Sequence, residues 1–319
     1  MKLKKYFYGS ILISTLLFVG CNETGKSKTD EQKKIDEKTK VDDNQKIFII
    51  GDSTVHSQTT DVLLKYKKMD CGIDNPNNIL RGWGDELYKY AKHPENIINQ
   101  ARQGANSLTF RTEKSPRRFG LGRDWNGTIS KMEQNKHGGF LLIQFGSHNE
   151  NGHTPKFDKD KKIIDYNHDG KGDKKDNKAR IALRESRFKE NIKFYIDKAK
   201  ELNITPILIT PAEARHKKKN KDGTLDLSIH RNTRGEFPNY VKEVAKEEGV
   251  QLLDLHARTL QEFTKFSDAQ LRRNFGDCTL KNGYIDRTHY EPKGANRVAK
   301  LVKELACQMD DPSLCNQFK

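Results

Sequence analysis

The chain has 319 residues, 32% of them charged and 34% hydrophobic, with a formal net charge of +15 and a mean hydropathy of −0.90. That length suffices for one large or two modest domains with a substantial core. The positive charge favours polyanionic partners, but the basic residues are spread over loops and helix faces without a recognition motif or an aromatic-interleaved basic stripe, which argues against nucleic acid.

Residues 1–20 carry Lys2, Lys4 and Lys5 followed by an apolar stretch over 11–19, the pattern of a secretory signal and too short for a spanning helix. The junction Leu17-Phe18-Val19-Gly20-Cys21 resembles a bacterial lipobox. Cleavage there would leave Cys21 acylated, so the chain is expected to be exported and held at the bacterial cell envelope, on the outer membrane or cell surface, by lipid alone. A plain signal peptide that happens to contain a cysteine is the alternative. Residues 21–45 are almost wholly polar and charged and read as a disordered tether, since they cannot bury enough apolar surface to offset their ordering entropy. Loss of residues 1–20 removes three lysines and lowers the charge to +12.

From residue 46 to 319 the pattern is one domain of short apolar runs alternating with helical segments. The runs 47–50, 97–98, 140–145, 206–209 and 250–255 are continuous, as strands covered on both faces require. Helical character falls on 83–91, 127–134, 181–202, 237–248 and 292–306. This alternation predicts a doubly wound α/β fold, with a parallel sheet between helical layers and a site at the carboxyl ends of its strands.

Chemistry-bearing residues cluster at those ends. The first strand stops at Gly51-Asp52-Ser53-Thr54-Val55. A serine hydroxyl needs a base within hydrogen-bond reach and a third group to orient that base, and Asp286-Arg287-Thr288-His289 can supply both. Gly-Asp-Ser is also ordinary turn chemistry, so its weight comes from company. Gly104 lies in Asn99–Ser107 after the second strand, and Asn149 in Gly146-Ser147-His148-Asn149-Glu150 after the third. A tetrahedral intermediate develops negative charge on oxygen, and the backbone amides of Ser53 and Gly104 with the side-chain amide of Asn149 would make three donors for it. His148, beside Asn149, is a candidate substrate contact; Pro292 suits the first turn of a helix and leaves His289 in the preceding loop.

The insertion at about 151–180 contains a second signal. Counted as a calcium loop, Asp165, Asn167, Asp169, Asp173 and Asp176 are acid or amide ligands, Lys171 offers its backbone carbonyl, and Gly170 stands at the sharp turn. The last position is Asp rather than Glu, which resembles the dockerin repeat. Structural Ca²⁺ is the expectation, with a polar loop that binds no metal as the alternative. After Cys21, four cysteines remain in an oxidising compartment. Three pairings are possible, and sequence proximity favours Cys307 with Cys315 and Cys71 with Cys278.

Ser53, Gly104, Asn149 and His289, in that order, resemble the four blocks of the SGNH or GDSL hydrolase superfamily. Gly51-Asp52-Ser53-Thr54-Val55, Gly82-Trp83-Gly84, Gln144-Phe145-Gly146 and Thr210-Pro211 are most similar to rhamnogalacturonan acetylesterases, over about residues 46–306. The third block departs from the usual Gly-His-Asn-Asp: Ser147 is interposed, and Glu150 replaces the shorter acid. The resemblance implies a flavodoxin-like three-layer α/β/α fold with a five-stranded parallel sheet. It also implies a serine esterase that needs no cofactor for catalysis and deacetylates an acidic plant polysaccharide such as pectin. The alternatives are an esterase of the same machinery acting on xylan, peptidoglycan or lipid esters, and a non-catalytic glycan-binding lipoprotein.

Overall fold

The computed structural model describes residues 45–57, 79–115, 121–147, 150, 177–215, 218–219, 225–226, 235–275, 278–279 and 285–319. The signal, lipidation and tether expectations up to residue 44, the calcium loop, His148, Asn149 and Cys71 lie outside the described residues.

Five strands, Lys46–Gly51 (β1), Ile97–Asn99 (β2), Gly139–Gln144 (β3), Ile204–Ile209 (β4) and Gln251–Leu253 (β5), pair in parallel in the order β2-β1-β3-β4-β5. Side chains alternate between the two faces of a strand, and both faces are apolar. Ile47, Ile49, Phe140, Leu142, Ile207, Ile209 and Leu253 enter one core, while Phe48, Ile50, Leu141, Ile143, Ile204 and Leu208 enter the other. The first core is covered by helices Leu255–Phe263 (α5) and Pro292–Ala306 (α7). The second is covered by Ser107–Thr112 (α1), Trp125–Glu133 (α2), Asn177–Glu201 (α3) and Phe237–Glu248 (α4). The result is a three-layer α/β/α fold. A short helix Asp268–Arg272 (α6) adds Leu271 to the first core. Among the described residues no helix is long and apolar enough to cross a membrane.

Strand order reverses at β1, because the chain passes from β1 outward to β2 and then back to β3 on the other side. Loops from the carboxyl ends of β1, β2 and β3 therefore meet in one crevice, the usual ligand position in such sheets.

Three local differences from the sequence expectation have physical causes. The helix expected over 83–91 is two 3₁₀ segments, Trp83–Asp85 and Leu87–Tyr90. Here the chain lies against the turn after β1: Trp83 N–H donates to Thr54 O (3.1 Å) and Gly84 N–H to Val55 O (3.0 Å). A Cβ on Gly82 would stand 2.2 Å from the Val55 carbonyl carbon, so only glycine permits this approach. The run expected as strand over 250–255 stops at Leu253, because Asp254 caps α5 by accepting from Ala257 N–H (3.2 Å). Helices α5 and α6 were not anticipated, nor was α1. Asn106 caps it by accepting from Leu108 and Thr109 N–H while Thr109 Oγ1 accepts from Asn106 N–H.

Cys307 and Cys315 are joined by a disulfide. Cys278 is also disulfide-bonded.

Candidate active site

β1 ends at Gly51, and the chain closes a tight turn in which Val55 and His56 N–H both donate to Asp52 O (3.1 Å each). Asp52 Oδ1 accepts from Thr54 N–H (2.8 Å) and Thr54 Oγ1 (2.7 Å), fixing the turn from inside. Ser53 stands at its tip. Its Oγ lies 2.7 Å from His289 Nε2, and His289 Nδ1 lies 2.6 Å from Asp286 Oδ2.

The loop carrying His289 is held on both sides. Cys278–Thr279 pairs with Ile285–Asp286, Arg81 N–H donates to Tyr290 O (2.9 Å), and Glu291 N–H donates to Asn274 O (3.0 Å) before Pro292 starts α7. Asp286 Oδ1 accepts from Thr288 N–H (2.9 Å) and His289 N–H (3.2 Å). Burial pushes the Asp286 carboxyl up, but the His289 ring and these two amides outweigh it and hold the group at about 2. Asp286 is therefore ionised and can only accept. The proton between it and the ring belongs to Nδ1, which leaves the Nε2 lone pair for the Ser53 hydroxyl.

The second loop extends β2 along β1, with Gln100 N–H on Ile49 O (2.8 Å) and Arg102 N–H on Gly51 O (3.0 Å). Gly104 is at its exposed tip with φ +68°, and a Cβ there would meet nothing within 4 Å. Backbone conformation rather than space selects glycine at this point. The Arg102 guanidinium turns back to the carbonyls of Thr109 (2.8 Å) and Glu113 (2.9 Å), which fastens the loop to α1.

The third loop settles how Ser147 is accommodated. Ser147 Oγ lies 3.3 Å from Thr54 Oγ1, so the interposed residue bonds to the nucleophile turn. Gln144 Nε2 also donates to Thr54 Oγ1 (2.9 Å), and Trp83 Nε1 donates to Gln144 Oε1 (2.9 Å). Glu150 ties this loop to the second. Its carboxyl takes Ser107 N–H (3.0 Å), lies 2.8 Å from Ser107 Oγ and takes Gly146 N–H (3.3 Å). Asp52, Thr54, Trp83, Gln144 and Glu150 stood in quoted motifs, but none was assigned a role from sequence. Their polar character inside otherwise apolar strand ends was the available signal. His56 is buried, with Nδ1 2.8 Å from Asp85 Oδ2.

Burial pushes the Glu150 carboxyl up to about 8, against the Ser107 and Gly146 donors and aided by the charge on Asp52. Stability from the protonated form is complete below its ordinary value of 4.5 and is lost as pH rises through about 8. Over that window the protein should lose on the order of 4 kcal/mol relative to Glu150→Gln, which cannot ionise. Urea unfolding of both proteins at pH 5 and pH 9 checks this; equal losses would contradict it.

Chemically, the described residues can activate a hydroxyl for attack on a carbonyl, and the crevice brings Gly104 and the third loop to the same strand ends. No group of three or more His, Cys, Asp or Glu among the described residues is arranged to hold a metal ion.

Comparison with known proteins agrees with this geometry. The chain is 27% identical over 259 residues to the probable rhamnogalacturonan acetylesterase YesY of Bacillus subtilis (strain 168), covering 80% of this chain and 89% of that protein. It is 26% identical over 266 residues to the rhamnogalacturonan acetylesterase RhgT of the same organism, covering 81% and 88%. The crystal structure of YxiM from Bacillus subtilis superposes with a TM-score of 0.53 at 18% identity, over 83% of this chain and 56% of that one. This chain thus spans little more than half of YxiM, and the match shows a shared fold. The GDSL-like lipase/acylhydrolase profile matches residues 47–302, from the start of β1 into α7. The chain belongs to the GDSL-like lipase/acylhydrolase family and is a carboxylic ester hydrolase.

Proposed function

We propose that this esterase removes acetyl groups from an acidic plant cell-wall polysaccharide of the rhamnogalacturonan class, through an acetyl-serine intermediate. The observation that carries the reading is the hydrogen-bonded series Ser53, His289, Asp286 in a chain that matches two rhamnogalacturonan acetylesterases over four-fifths of its length.

Ser53 Oγ attacks the acetyl carbonyl as His289 Nε2 takes its proton. Asp286 keeps the ring in the tautomer that can accept, and its charge stabilises the imidazolium that forms. The oxyanion is held by the backbone N–H groups of Ser53 and Gly104 and by the Asn149 side chain, each donor worth roughly 3 to 4 kcal/mol in the transition state. His289 then returns the proton to the departing sugar oxygen. Water, activated by the same imidazole, attacks the acetyl-serine; the serine oxygen leaves, is reprotonated by His289, and acetate departs. Every reacting group is supplied by the chain, the substrate or water.

Acetate release from acetylated rhamnogalacturonan, homogalacturonan and xylan tests the substrate. Rhamnogalacturonan is expected to give the highest kcat/KM, by about tenfold or more if a carboxylate contact contributes. A clear preference for xylan would refute the assignment.

A further inference from the structure

The turn bearing Ser53 ends at His56, and His56 borders a second polar cluster that hydrolysis does not use. Asp85 accepts from Ser57 N–H (2.6 Å) and Asn99 Nδ2 (2.6 Å) besides facing His56 Nδ1 (2.8 Å). Its charge is thus met by three neighbours. Arg123 lies beside them, half-buried, with Nη1 donating to the carbonyls of Asn99 (2.9 Å) and Ala101 (3.3 Å) and lying 3.2 Å from His56 Nδ1. All its hydrogen bonds to described residues use Nη1, leaving Nε and Nη2 without one.

That guanidinium lines a cavity of about 440 Å³ with Tyr88, Gln100 and Asp85. Tyr88 is 46% exposed, a large aromatic ring left open to solvent. Gln100, with its amide oriented to satisfy both ends, accepts from Lys131 Nζ (2.8 Å). Lys131 in turn lines an adjoining cavity of about 310 Å³ whose wall includes Lys46 and Lys136, and the two cavities share Ile98. Neither Arg123 nor Lys131 has a carboxylate salt bridge among the described residues. Two cations stand close, each partly desolvated and so pushed toward its neutral form, while Asp85, the described acid whose charge acts on Arg123, already faces His56. The cluster lies along β2, the edge strand of the sheet. Its upper end, at Gln100, is bonded to β1 two residues before the nucleophile turn.

A guanidinium edge with unused parallel donors matches a carboxylate. The half-exposed Tyr88 ring, which carries Lys89 Nζ 6.0 Å from its centroid, offers a wall for the apolar face of a sugar ring, since such sites combine an aromatic wall with a few placed polar groups. We propose that Arg123, flanked by Tyr88 and backed by Lys131, forms a subsite for a uronate carboxylate of the polysaccharide chain whose acetyl ester is presented to Ser53. This rests on the polysaccharide-esterase reading above. The carbonyls of Asn99 and Ala101 hold the guanidinium through Nη1, while Asp85, bonded to Ser57 and Asn99 and facing His56, acts on it through charge alone.

The test compares acetylated rhamnogalacturonan with the same polymer after its uronate carboxyls are reduced to alcohols. Wild type should lose about tenfold or more in kcat/KM on the reduced polymer, through KM. Arg123→Gln should show that loss already on the native polymer, with kcat within about twofold and no further loss on reduction. Arg123→Lys, which keeps the charge without the fork, should fall between. Wild type that treats both polymers alike, or Arg123→Gln that keeps the wild-type preference, overturns the subsite. So does an equal loss by Arg123→Gln on both polymers through kcat, as misfolding would give.

Calorimetry with unacetylated galacturonate oligomers reads the same subsite without chemistry. Binding should weaken tenfold or more in Arg123→Gln, and absent or unchanged binding overturns the inference. Intact oligomer binding by a wild type that releases no acetate from rhamnogalacturonan would instead fault the esterase reading and leave the subsite standing.

Discussion

Replacing Ser53 with alanine is expected to lower kcat for acetate release by about 10⁵-fold or more, and His289→Ala by nearly as much. The two residues act as one unit, because the hydroxyl 2.7 Å from Nε2 is nucleophilic only while that nitrogen accepts its proton. The double variant should therefore be no slower than the slower single one. Additive losses, near the square of the single effects, would mean that the pair does not share a proton. Initial rates on a generic acetyl ester and on rhamnogalacturonan, for all four proteins, measure this. KM should change little, since neither side chain is asked to hold the ground-state substrate.

Asp286→Asn is the second large effect, with an expected loss of about 10⁴-fold in kcat. An asparagine amide presented to Nδ1 favours the proton on Nε2, the tautomer that cannot take the Ser53 proton. Fold should survive, because an asparagine Oδ1 can still accept from Thr288 and His289 N–H. The Asp286 carboxyl is held at about 2 against an ordinary 3.8, so it stays ionised well into acid. The stability Asp286 lends the fold is present above 3.8 and lost as pH falls through about 2. A loss of less than about tenfold in kcat at neutral pH would show that another group orients the imidazole.

Much of this site was legible before any coordinates. Short continuous apolar runs such as Ile47 to Ile50 and Phe140 to Ile143, bounded by turn residues and alternating with helical segments, read as strands buried on both faces, so the residues ending them share one edge of the sheet. Ser53, Gly104 and the Gly146 loop follow from that alone. Asp286 and His289 were recognisable by their spacing, but their meeting with Ser53 across 236 positions depends on α7 packing, which local pattern does not encode.

Other features were hidden for different reasons. The segment over Trp83–Tyr90 has helical composition, yet Gly82 and Gly84 press its backbone onto Val55 and tighten it to 3₁₀. Tertiary contact overrides propensity there. The six residues of α1 are too few for periodicity to register, and only the Asn106 and Thr109 pair announced it. Glu150 shows in sequence only as the longer acid that closes the third block. Its burial between the second and third loops follows from the closure of Ser147 onto Thr54 and of its own carboxyl onto Ser107. Arg123, His56 and Asp85 are likewise scattered along the chain and gather only because the segment after β1 folds across β2.

The central claim is that Ser53 becomes the acyl carrier. Mixing the enzyme with an acetyl ester, quenching in acid within the first turnover and mapping the acetyl group by peptide mass spectrometry tests it directly. The account predicts a burst of alcohol release matched by an acetyl group on Ser53, absent in Ser53→Ala. Acetate formed with no acyl-enzyme at any quench time, or an acetyl group on another residue that persists in Ser53→Ala, would contradict it.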